Sequence, residues 1–178
     1  MKKLIVITIA LFLILLSVKF SRGQDLFPDT KVGSFLERSG VNKKYVLKTA
    51  AGCVSLFVAG SFDATREIIR HDYSQFKAVF PKASDQWCNP KLSHSNKWKG
   101  GNSSNGAKFP GSTTAFVFVT DLEHFAAMGR NAFIGTTILL SIGGKVKWYI
   151  YIVQGVLNFA CFSAGFNLWY HKIYAHKY

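Results

Sequence analysis

Asp63, Glu67 and His71 recur at intervals of four. On a continuous helix they lie along one face, drifting about 40° per step because four residues exceed one 3.6-residue turn. Two carboxylates and an imidazole in one column make a set that binds a divalent metal or relays a proton. Asp121 and His124, three apart, share a face of a second helix if residues 113–128 are helical, while Glu123 points elsewhere. Together the two faces offer carboxylate and imidazole ligands suited to zinc, manganese or iron. The candidate metal ligands are therefore Asp63, Glu67, His71, Asp121 and His124, and the candidate catalytic groups Glu67, His71, Asp121 and His124. Carboxylate-bridged metal sites in helical bundles combine Glu with Glu-x-x-His pairs; the spacings here, Glu-x-x-x-His and Asp-x-x-His, match in kind only. The commoner arrangement is a metal-free hydrogen-bonded network, because Arg66 and Arg70 stand close to Asp63, Glu67 and Asp72. A metal-free acid/base site is the third alternative. His94, between Ser93 and Ser95, is expected to be an exposed loop residue.

The elements that must position these groups follow from the apolar blocks. The uncharged stretch Trp148 to Tyr170 rises roughly 34 Å as a helix, enough to cross a hydrocarbon core of about 30 Å. Trp148, Tyr149 and Tyr151 at one end, with Trp169 and Tyr170 at the other, suit two membrane interfaces. Gln154, Asn158, Cys161 and Gly165 form a stripe that should pack on another helix. The block 49–62 extends to a helix over 45–71 with Lys48 snorkelling, and Ala51, Ser55 and Ala59 form a small-residue ridge along it. Between them, Asp121, Glu123, His124 and Arg130 divide the run 113–144. Two helices are expected there, 113–128 capped by Ser112 or Thr113 and 131–144 ending at Gly143-Gly144, with a short β-branched strand as the alternative around 113–120. The N-terminal apolar block after Lys2-Lys3 reads as a signal peptide over 1–23 or an uncleaved anchor; Ser21 and Gly23 suit a cut before Gln24.

The chain is 49% apolar yet carries 22 basic residues and a formal charge of +13. Lys and Arg flanking apolar blocks fix orientation in a bilayer and touch anionic headgroups. Residues 72–111 interleave lysines with Phe76, Phe80, Trp87, Trp98 and Phe109. Tyr73, Phe76 and Phe80 would line a short helix lying in the headgroup region and ending at Pro81. With no RNP, KH or zinc-finger pattern beside that loop, lipid is the expected partner and nucleic acid is not. The Gly-rich segment 100–108 lacks GxxxxGK[ST] and reads as a connector. Ser112 sits in neither GxSxG nor SxxK, and there is no HExxH or dinucleotide fingerprint. Cys53, Cys88 and Cys161 have no metal or disulfide spacing, so Cys88 is expected to be an ordinary free thiol.

The expected fold is an all-α membrane protein, a small multi-spanning helical bundle with a long basic and aromatic loop on the cytoplasmic side. Residues 24–178 form a single membrane domain, seated in the inner, cytoplasmic membrane if the cell is bacterial. Two functions fit: a carboxylate/histidine site near the interface, metal-dependent or not, acting on a lipid-like substrate; or a non-catalytic structural or accessory subunit. In the second case the small-residue faces meet partner helices or further copies of the chain.

Overall fold

The computed structural model describes residues 31–174. The expected signal peptide or anchor and the last four residues of the basic tail lie outside the described residues. Helix dominates the rest. There are α1 (Lys31–Arg38), α2 (Lys43–His71), α3 (Tyr73–Val79), α4 (Asp85–Cys88), α5 (Pro90–Ser93), α6 (Leu122–Ser141) and α7 (Trp148–Leu168), the last continuing into a wide π turn, Trp169–Tyr174. Among the described residues no strand forms; the β-branched run at 113–120 is a set of turns.

A side-chain cap marks the start of α2. Asn42 accepts the Tyr45 N–H at 2.9 Å, satisfying one of the orphan donors of the first turn. At the other end Asp72 leaves helical geometry and caps α3 in turn, accepting from Gln75. The helix has 29 residues, a rise of roughly 43 Å. Lys43–His71 and Trp148–Tyr174 are long and apolar enough to cross a membrane.

α6 departs from the expected pair of helices. A single helix runs through Arg130, and its cap is Asp121, which accepts the His124 N–H at 2.8 Å. Ser112 does not cap it: its hydroxyl donates to Lys97 O at 2.8 Å. The helix continues through Gly129-Arg130 because tertiary contacts hold both residues. The ring of Phe62 lies 3.0 Å from where a Gly129 β-carbon would stand, and Arg130 reaches Asp63 on α2.

α2 packs along both α6 and α7. Its register with α7 is parallel: Ser39–Tyr149, Tyr45–Gln154 and Thr65–Tyr174 are hydrogen-bonded at sequence separations of 110, 109 and 109. With α6 it is antiparallel, the separation falling from 85 at Gly52–Thr137 through 78 at Ser55–Phe133 to 67 at Asp63–Arg130. Ser55 and Ala59 are buried as the ridge requires, but Ala51 is exposed and Gly52 takes its place. On α7 the expected stripe faces α2: Gln154 accepts from Tyr45, and Gly165 abuts Phe57. The two helices touch backbone to backbone. A β-carbon at Gly60 would overlap the Phe162 carbonyl oxygen, and one at Gly165 that of Phe57.

Within the loop 72–111 the expected short helix forms as α3, with Tyr73, Phe76 and Phe80 in ring contact along it. Phe76 turns inward, into a cluster with Ile68, Ile69, Cys88 and Tyr174, because α3 doubles back on the end of α2 and the π turn after α7. The 97–108 segment is closed by paired backbone bonds, Lys99 N to Gly106 O at 3.0 Å and Lys108 N to Lys97 O at 2.9 Å.

Gly165→Ala should therefore lower unfolding free energy in detergent by about 1–3 kcal/mol, the usual cost of overpacking. Gly135→Ala, where nothing lies within 4 Å, should leave it unchanged or raise it by up to about 1 kcal/mol through helix propensity. Denaturant titration followed by circular dichroism reads both.

Candidate polar site at the junction of α2 and α6

All five predicted ligands lie toward the end of α2 and the start of α6, but they fall into pairs. Asp63 Oδ1 accepts from Arg130 at 2.8 Å across the helix interface. Glu67 is 3.1 Å from His71 Nε2 on its own helix and 3.8 Å from Arg66. Asp121 and His124 form the third pair, with the imidazole Nδ1 2.8 Å from Oδ2. Among the described residues no three His, Cys, Asp or Glu side chains stand where they could hold one metal ion. The shared sphere expected for Asp63, Glu67, His71, Asp121 and His124 is thus replaced by separate pairs. The physical reason is that Arg130 occupies the carboxylate that would have linked the two faces. His94 stays outside, its Nδ1 3.2 Å from Pro90 O.

Two residues outside the candidate set prove central. Glu123, expected to point elsewhere, is 3.1 Å from Arg70, and Arg130 is the partner of Asp63. A signal for both is present in the sequence. Asp63 and Arg70 are seven residues apart on α2, and Glu123 and Arg130 seven apart on α6. Seven residues are close to two turns, so each helix presents one acid and one base on one stripe. Antiparallel packing sets acid against base at both levels. Both pairs are only partly shielded from solvent, side-chain exposure running from 19% at Asp63 to 41% at Arg70, so each contributes modestly.

The Asp121–His124 pair is built differently. Asp121 is 1% exposed and its carboxylate also accepts from the His124 backbone and from Thr120 Oγ1, at 2.8 and 3.1 Å. It fixes the imidazole through Nδ1 on a ring whose side chain is 38% exposed. Chemically, this is an oriented imidazole whose other nitrogen, Nε2, is not engaged by Asp121. Further out, the Lys77 ammonium and the Tyr73 hydroxyl hold the Asp85 carboxyl below its usual range, while burial pushes Tyr73 up. The Ser74 hydroxyl does the same for Asp72 as Lys77 does for Asp85. Burial raises the Cys88 thiol, as expected of an unreactive cysteine.

Comparison of the chain with protein families, characterised proteins and solved structures finds no match.

The interhelical pairs generate a double-mutant prediction. Asp63→Asn and Arg130→Gln should each cost about 1–2 kcal/mol, and the double variant less than the sum, with a coupling of about 1 kcal/mol. Unfolding in detergent reads the cycle; strict additivity would show that the pair is incidental.

Proposed function

We propose that the chain is a non-catalytic structural or accessory subunit of a membrane assembly. In this reading α2, α6 and α7 cross the bilayer, and the outer face of α7 docks on other transmembrane helices. The observation that carries it is that face. Trp148, Ile152, Gly155, Val156 and Phe159 follow spacings of three and four and so lie together. Trp148 and Phe159 are each 73% exposed and Val156 66%. A core helix of a soluble protein would be mostly buried, whereas only 17% of the apolar window of α7 is covered. Gly155, with nothing within 4 Å, gives that face a notch of the kind transmembrane helices use for close approach to one another.

The junction of α2 and α6 supports the same reading over a catalytic one. Its carboxylates are each engaged by a base of the protein itself, and charges within a bundle that crosses lipid need such partners. Their arrangement serves to register α2 against α6. Among the described residues no serine or cysteine is hydrogen-bonded to His124, the imidazole held by the buried Asp121.

The test is photocrosslinking in native membranes from benzoylphenylalanine at position 156, with position 92 on the exposed loop as control. A discrete protein adduct is expected from 156 and not from 92, and Gly155→Leu should abolish it. If position 156 labels only lipid and Gly155→Leu changes nothing, α7 has no docking role and the reading fails.

A further inference from the structure

The opposite end of the bundle, where α2 and α7 begin and α6 ends, holds a partly open cavity of about 390 Å³. Lys44, Lys48 and Lys145 line it, and no Asp or Glu does. Three lysines around one hollow with no carboxylate in its wall give it a positive potential. The cap of α2 at Asn42 also lines the cavity, so the positive end of the helix dipole adds to the lysines.

The walls are held in place. The turn before α2 is tied to the start of α7, Ser39 to Tyr149 at 2.6 Å and Lys147 N to Ser39 O at 3.1 Å. Gly40, at φ +82°, lets that turn press on the Lys145 carbonyl, where any β-carbon would overlap. Lys48 Nζ donates to Ile142 O at 3.2 Å. That neutralises the carbonyl end of α6 and leaves the ammonium two further donors. On the inner wall Tyr45 donates to Gln154, and Gln154 to Ser141, at 2.8 and 3.2 Å. Thr49 Oγ1 is buried there, beside the Tyr45 hydroxyl.

We propose that this cavity binds a phosphoryl anion. Its several fixed and flexible donors, spread round a positively charged hollow, suit the tetrahedral oxygens of a phosphoryl group. Trp148 and Tyr151 ring the same end, the level at which aromatic residues meet headgroups. The phosphate of an anionic phospholipid and free phosphate share this chemistry. The site does not depend on what α7 docks against.

The experiment uses the full chain purified in detergent. Inorganic phosphate is titrated by calorimetry, and phosphatidylglycerol and phosphatidylcholine are compared by native mass spectrometry of lipid-doped micelles. Phosphatidylglycerol binding without phosphate binding would assign a lipid headgroup, and binding of inorganic phosphate would assign the free anion as a ligand. In either case K44Q/K145Q should weaken binding about 30-fold, from about 5-fold per lysine beside an anionic group. Lys44 and Lys145 are exposed, Lys48 is left in place, and the K44R/K145R pair should restore binding if the loss is one of charge. The proposal is overturned if neither phosphate nor phosphatidylglycerol binds above the phosphatidylcholine level. It is overturned equally if K91Q/K99Q, in the distant loop, weakens binding as much, or if the arginine pair fails to restore it.

Discussion

Gly60 and Gly165 bring the backbones of α2 and α7 into direct contact, and the rest of the arrangement depends on that contact. Any side chain at either position would collide with a carbonyl of the partner helix, so this crossing exists only with glycine on both sides. It fixes α7 parallel to α2, with α6 running antiparallel on the opposite flank of α2. In the proposed bilayer setting, where no hydrophobic force draws helices together, close packing of this kind is the main source of association. The hydroxyls of Ser55 and Thr137, bonded to backbone carbonyls across the α2–α6 interface at 2.8 and 3.2 Å, add to it on the other flank.

Once α2 and α6 are antiparallel, their charges have a fixed meeting. Asp63 finds Arg130 and Arg70 finds Glu123, and the residues that looked like ligands become part of a register. The two ends of the bundle then differ in character. At the α3 end acids and bases occur together and neutralise one another across helices. At the other end the lysines converge on a cavity whose lining holds no acid.

Much of this was legible in the residues. The uncharged run from Trp148 marked α7, and its Gln154–Gly165 stripe marked the face that meets α2. The reach of α2 followed from its apolar block, with the true start two residues before the expected Tyr45. What could not be read locally was α6. Glu123 and Arg130 look like interruptions on one helix and become contacts only when α2 lies beside it. The inward turn of Phe76 was hidden for a similar reason: an amphipathic face specifies that it must be covered, not whether lipid or protein covers it. For the candidate site, the sequence showed which residues share a face. It also contained the seven-residue offsets that pair them, which become decisive only with the direction of packing.

The central claim, that parallel α2 and α7 seat the chain across a bilayer, is tested most directly by side-specific labelling. Single cysteines are placed at Ser34, Lys147 and Ser103, all exposed, in a background lacking the three native ones. They are then treated with a membrane-impermeant maleimide in sealed vesicles of defined orientation. Positions 34 and 147 should label from one side and position 103 only from the other. Labelling of all three from the same side would contradict the account.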